Sequence, residues 1–230
     1  MSLVEYKRKR KFSKTPEPKG AVKPRKAKAL SFVIQKHDAT RLHYDFRLEM
    51  EGVLKSWAVP KGIPTTKGEK RLAMHVEDHP MDYGGFEGTI PEGNYGAGTV
   101  MLWDRGTYEP EGGGGVEALR AGYERGDLKI ELHGKRLRGG WVLVRMRRAE
   151  GRPQWLLIKH RDETASSDYD VVDEVTTSVA TRRTMEQIAS GRSRVWQSNR
   201  AEPATKKKAR KTTTRRTARK APSRRKRARA

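Results

Sequence analysis

The middle of the chain is written in short alternating runs. Arg41–Met50 (RLHYDFRLEM) puts Leu42, Tyr44, Phe46 and Leu48 on one side and His43, Asp45, Arg47 and Glu49 on the other. A period of two is that of a half-buried strand. Gly52–Val59 (GVLKSWAV) follows after a tight turn and predicts its hairpin partner. Ser31–Lys36, Arg71–Glu77, Gly98–Asp104 and Gln154–His160 predict further strands, and Asp127–His133 with Arg138–Arg147 predicts a hairpin turning near Gly134. Pro60 to Lys70 predicts a loop, as do residues 84–98, which carry six glycines and one proline. Val116–Tyr123 predicts a short helix. Thr184 and Gln187 have the spacing of a capping box, and Gly191 would stop a second helix, Met185–Ser190. Short strands, glycine-rich turns and no strand–helix–strand alternation predict a mainly β fold of about eight strands, an antiparallel barrel or sandwich.

Charge divides the 230 residues into three. Residues 1–30 hold eleven basic and two acidic residues, residues 201–230 hold fourteen and one, and the middle is near neutral at +1 of the total +23. After Asn199 the chain is dominated by Ala, Lys, Arg, Thr and Pro and predicts a disordered basic tail over 200–230. Such tails bind phosphate backbones through counterion release, without reading sequence. No apolar run exceeds four residues, whereas a membrane-spanning helix needs about twenty. Met1 to Lys11 has no apolar stretch behind its charge, unlike a secretory signal. With no cysteine, disulfides and thiolate chemistry are excluded. The expected setting is the cytosol, without a membrane.

Three groups of residues offer chemistry. On a strand, His43, Asp45 and Arg47 share a face in steps of about 6–7 Å. With His37 they present two imidazoles and a carboxylate, a donor set for Mn, Fe or Zn, beside an arginine able to clamp a phosphate. The competing reading is the wet face of an amphipathic strand. His75, Glu77 and His79 repeat the spacing and would share a face near Tyr83. They offer a second donor set or a general acid, with solvated-face status the better reading for His75. Gly93–Gly98 runs into a strand rather than a helix, so it reads as turn chemistry and not as a phosphate-binding loop.

Longer strings of residues carry a resemblance. Phe32–Ala39 (FVIQKHDA), Arg41–Leu48, Lys55–Gly62 (KSWAVPKG), His75–Pro80, Asp82-Tyr83, Gly85–Gly88 and Tyr95–Thr99 together resemble the 3′-phosphoesterase domain of bacterial DNA ligase D, the end-joining ligase. The likeness runs from about Tyr6 to Asp162, and Arg183–Trp196 resembles the segment that follows this domain. The resemblance implies a compact β-barrel with its active site on the outer surface. It implies manganese-dependent removal of a 3′-terminal ribonucleoside, and then of the 3′-phosphate, from a primer on a template. His37, His43 and Asp45 would be metal ligands. Arg47 and His79 would contact the scissile phosphate, with Tyr83 supporting them. Gln35, Lys61, Arg71 and Glu77 would form a polar shell, and Arg10 and Glu17 would reach the site from the N-terminal arm. Lys11 departs from the pattern, standing where an acid is expected.

On this reading residues 1–30 form a basic arm with 5–18 folded back, 31–165 the barrel, 166–199 an extension with a short helix, and 200–230 the tail. Expected partners are DNA or DNA/RNA primer–template 3′ ends, non-specific DNA through the tail, and an end-joining ligase, polymerase or Ku-type end-binding protein. The lysyl-adenylate pattern Lys-x-Asp-Gly is absent, and Lys159–Asp162 (KHRD) does not match it, so nick sealing is not expected. The alternative function is a non-catalytic DNA-end-binding adaptor.

Overall fold

The computed structural model describes residues 3–22, 29–147, 153–165 and 174–191. The predicted tail and both ends of the C-terminal extension lie outside the described residues. The strands are β1 (Leu30–Asp38), β2 (Leu42–Met50), β3 (Val53–Val59), β4 (Lys70–His75), β5 (His79–Pro80), β6 (Gly88–Ile90), β7 (Gly98–Pro110), β8 (Asp127–Gly134), β9 (Arg138–Arg145) and β10 (Gln154–Lys159). Short helices are α1 (Val4–Arg8), α2 (Gly115–Arg125) and α3 (Met185–Ala189), with a 3₁₀ turn at Met81–Gly85. No helix among the described residues is long and apolar enough to cross a membrane.

Eight strands close a ring in the order β1-β2-β3-β4-β10-β9-β8-β7, because β7 pairs back onto β1. β6 adds to β7, and β5 to β3. The fold is therefore the antiparallel barrel. β7 runs six residues past its predicted end at Asp104, because its distal half is paired to both β1 and β8. β6 lies inside a stretch whose glycines predict only loop; three residues are too few to show alternation. The β2–β3 turn holds Glu51 at φ 53° and Gly52 at φ 80°. Positive φ at both central residues is the hairpin geometry that matches strand twist.

The barrel interior holds Ile34, Phe46, Trp57, Trp103, Trp141 and Trp155. A second apolar cluster lies outside the sheet and joins Leu3, Tyr6, Val33, Leu54, Tyr83 and Phe86. This outer cluster explains β3, in which all seven residues are buried: one face packs inward and the other lies under the arm and the 3₁₀ turn. Leu42, expected inside with Tyr44 and Phe46, is 46% exposed. It opens β2 at the barrel rim, opposite Asp38, where no core remains to cover it.

The predicted capping box at Thr184 and Gln187 is present. The segment it belongs to is tied to the barrel. The Val179 N–H donates to the Leu102 carbonyl at 2.8 Å, and Arg183 Nη2 donates to the buried Glu87 carboxylate at 2.8 Å.

Candidate active site

The β1–β2 register sets His37 opposite His43, Gln35 opposite Asp45 and Val33 opposite Arg47. Directly paired residues point to the same face, so these side chains gather on the outside of the barrel. There His37, His43, Asp45 and Arg47 line a cleft of about 190 Å³. The donor atoms of His37, His43 and Asp45 lie within 4.8 Å of one another. His37 Nδ1 is 3.6 Å from Asp45 Oδ2, and His43 Nε2 is 3.9 Å from Asp45 Oδ1.

Hydrogen bonding assigns the His43 tautomer. Its Nδ1–H donates to the Arg41 carbonyl at 2.9 Å, leaving the Nε2 lone pair turned toward Asp45. His37 Nε2 is buried without a partner among the described residues. Burial would raise the Asp45 carboxyl, but Arg47, His37 and His43 hold it well below the usual carboxylate range. Two imidazoles, a permanently ionised carboxylate and an orphaned buried nitrogen fit a divalent cation. Glu109, Glu131 and His133 also converge, but they are exposed on β7 and β8.

Arg47 is 2% exposed. Nη2 donates to Asp45 Oδ2 at 2.9 Å, Nε to Gln35 Oε1 at 2.7 Å and Nη1 to Ser56 Oγ at 2.8 Å. Gln35 is itself fixed by donating to the Tyr83 and Phe86 carbonyls at 3.2 and 2.9 Å. Arg47 Nη1 also lies 2.9 Å from His79 Nδ1, while Arg10 Nη2 lies 3.0 Å from His79 Nε2. Neither arginine can accept a proton. The tautomer with Nδ1–H donating to the Glu77 carbonyl at 2.8 Å and Nε2 accepting from Arg10 satisfies both of those contacts and leaves Arg47 Nη1 in close approach without a hydrogen bond to the ring. Burial first, then the charges of Arg47 and Arg10, push His79 well below its ordinary pKa, so the imidazole is neutral. Tyr83 packs edge-on against that ring at 4.7 Å and under the Arg47 guanidinium at 4.9 Å. Burial, reinforced by Glu17, raises its phenol well above the usual value.

The arm completes the cleft. Arg10 Nε donates to Glu17 at 2.7 Å and Nη1 donates to Glu77 at 2.9 Å. Lys9 Nζ and the Tyr95 hydroxyl bond the other Glu77 oxygen at 3.0 and 3.3 Å. Glu17 is 0% exposed, so the arm enters the site with a buried ion pair of its own.

Of the residues singled out in the sequence, Arg10, His37, His43, Asp45, Arg47, Glu77, His79 and Tyr83 line the cleft. Gln35 and Glu17 sit directly behind it. Lys61 and Arg71 do not line it. Lys61 is exposed on the turn after β3. The pairing of β4 with β10 sets Arg71 opposite Leu157, where Glu69 takes its guanidinium. His75 is corrected. It is neither a solvated residue nor part of a set with Glu77 and His79, because β4 ends there. Its ring packs on Trp57 and its Nε2 meets the Tyr123 hydroxyl at 2.9 Å.

Sequence reasoning missed Lys9, Ser56 and Tyr95. Ser56 was within reach, since it pairs with Arg47 in the hairpin register. Tyr95, the lone aromatic between two glycines of an otherwise small and polar loop, carried a weaker signal.

Residues 35–145 match the family model described as the DNA Ligase D 3'-phosphoesterase domain. Through this barrel the chain belongs to that domain family. It is 50% identical over 187 residues to the multifunctional non-homologous end joining protein LigD of Pseudomonas aeruginosa, covering 80% of this chain and 22% of the relative. It is 48% identical over 143 residues to the LigD protein of Mycobacterium tuberculosis, covering 62% and 18%. For the Mycolicibacterium smegmatis protein the figures are 44% over 162 residues, 70% and 21%. The chain thus spans about a fifth of the length of these curated relatives.

Proposed function

We propose that this protein is a metal-dependent phosphoesterase that processes DNA 3′ ends in non-homologous end joining. It would remove a 3′-terminal ribonucleoside and a 3′-phosphate to leave a 3′-hydroxyl. The observation that carries the reading is the convergence of His37, His43 and Asp45 on one cleft wall, with two arginines and a neutral histidine beside them.

Charge makes the need for a cation concrete. Lys9, Arg10 and Arg47 are balanced one for one by Glu77, Glu17 and Asp45. An unassisted phosphate dianion would enter a cleft with no net attraction to offset its desolvation. His37, His43 and Asp45 would hold a divalent ion, manganese on the family resemblance. When bound it supplies about two positive charges and Lewis-acid polarisation of a phosphoryl oxygen.

The protein groups then do the positioning. Arg47 is aimed by Gln35 and Ser56, so its guanidinium meets the phosphoryl group without reorganising. Arg10 brings a second guanidinium, with one Nη2–H left over from its bonds to Glu17, Tyr6, Glu77 and His79. His79 is neutral, and its Nδ1–H is committed to the Glu77 carbonyl. Its Nε2 accepts from Arg10, so the ring holds that guanidinium in place rather than acting as a proton donor. Tyr83 keeps its phenolic proton and holds the ring edge-on.

The test is a 5′-labelled primer ending in 3′-phosphate, annealed to a longer template and incubated with and without manganese. Conversion to 3′-hydroxyl by the wild type, only with manganese, and loss of conversion in His43→Ala are expected. Retention of the DNA with no conversion under any divalent metal would overturn the reading in favour of an adaptor.

A further inference from the structure

The outer face of the barrel carries a second, larger depression of about 540 Å³. Its floor is apolar: Val33 of β1, Leu54 of β3, and Met81 and Gly84 of the 3₁₀ turn. Its rim is basic: Arg105 of β7, Lys135 of the β8–β9 turn and Arg138 of β9. All three cations are exposed, and no carboxylate lines the groove among the described residues.

The rim is rigidly built. The Asp104 carboxylate is 0% exposed. It accepts from the backbone N–H groups of Arg105, Lys135, Arg136 and Leu137 at 2.8, 3.1, 3.1 and 3.0 Å. One buried side chain therefore fixes β7 to the turn and sets the backbone of Arg105 and Lys135. Arg138 Nε donates to the Gly134 carbonyl at 3.3 Å. A Cβ at Gly134 would lie 2.5 Å from Asp104 Oδ2, so only glycine permits this approach. Surface cations that serve solubility have no need of such a frame.

The groove and the cleft are lined by neighbouring residues. Tyr83 lines the cleft and Gly84 lines the groove. Val33 precedes His37 by four residues on the same face of β1, about 13 Å at the rise of a strand. A DNA strand rises about 3.4 Å per nucleotide. Phosphates about four nucleotides behind a 3′ end seated in the cleft would reach the rim.

We propose that this groove binds the sugar–phosphate backbone of duplex DNA behind the processed end. Arg105, Lys135 and Arg138 each neutralise a phosphate, and deoxyribose faces pack on Val33, Leu54 and Met81. The orientation along β1 rests on the end-processing reading above; the basic groove itself does not.

The experiment uses the full chain and a fluorescent primer–template with a duplex of about one helical turn. Binding is followed by anisotropy over a salt series, and turnover of the same duplex is measured in parallel. The triple variant Arg105→Ala, Lys135→Ala, Arg138→Ala is compared with Lys70→Ala, Arg125→Ala, Lys129→Ala, which removes three exposed cations elsewhere. The groove variant is expected to lower the slope of log affinity against log salt by about 2 to 3, at about 0.9 for each phosphate no longer neutralised. The control variant should lower it by less than half as much. Equal falls in the two triples, or a groove variant with the wild-type slope, would overturn the proposal. A groove-dependent slope in a wild type that turns nothing over would sustain the groove as a DNA site and sink the end-processing reading instead.

Discussion

Arg10 Nη2 lies 3.0 Å from His79 Nε2, although 69 residues separate the two in the chain. The contact joins the N-terminal arm to the cleft, and it stands on Glu17 and Glu77, both less than 10% exposed. Removing Arg10 strands the buried Glu17 carboxylate, while Glu77 keeps Lys9 and Tyr95; a broken buried pair costs about 3–5 kcal/mol. Arg10→Ala should therefore lose about that much in urea denaturation and also lose turnover. Arg10→Lys keeps the charge but not the fork, and should recover stability better than activity. An unchanged urea midpoint in Arg10→Ala would mean that the arm is held by its apolar contacts alone.

Stability should depend on pH in a defined direction. Burial lowers the pKa of both His75 and His79, with Arg47 and Arg10 adding to the effect on His79. The unfolded chain takes up protons at these groups near pH 6.5 while the folded protein does not. Stability is then fully present above about pH 6.5 and falls as the pH is lowered through it. Asp45, held low in the fold, adds a loss of the same sign below about pH 4. His79→Gln should flatten the upper part of the profile between about pH 7 and 5. Thermal melts across that range check it, and a profile identical to wild type would sink the assignment of His79 as a buried neutral ring.

Manganese should stabilise the protein without any substrate. A cation that binds only the folded state adds about 2.7 kcal/mol at a hundred times its dissociation constant. Thermal shifts should rise with manganese in the wild type. They should be lost in His43→Ala and in Asp45→Asn, which keeps the shape but not the permanent charge. Equal shifts in all three proteins would show that the ion binds elsewhere, the exposed Glu109, Glu131 and His133 being the place to look.

Much of this was legible in the sequence, for a physical reason. The β1–β2–β3 meander is local. Alternation in β2, a two-residue turn at Glu51-Gly52 and the pairing they impose bring His37, His43, Asp45 and Arg47 together without reference to the rest of the chain. The neutral state of His79 was not legible. It needs Arg10 from the arm and burial by Tyr6 and Tyr83, and composition reads that arm only as another run of lysine and arginine. The place of Arg71 was hidden likewise, because it depends on β4 pairing with β10 some eighty residues away. His75 was misread because period-two reasoning carried β4 past the point where the strand ends.

The basic run at 201–230 yields a prediction from charge alone. Deleting it removes fourteen cations and one acid. DNA binding should weaken and its salt dependence flatten, each phosphate left without its cation taking about 0.9 from the slope, with turnover at saturating substrate preserved. An unchanged slope would leave residues 1–200 as the sole grip on DNA.

Leu3 shares the outer apolar cluster with Tyr83, and the Tyr6 ring meets that of His79 at 5.1 Å. An affinity tag fused ahead of Met1 would emerge within a few residues of the cleft. A polyhistidine tag there would set a rival crowd of imidazoles beside His37 and His43. It would compete for any cation offered and hinder docking of the arm, so metal binding by a tagged preparation would describe the tag as much as the cleft. Metal dependence is properly measured on protein from which such a tag has been cleaved.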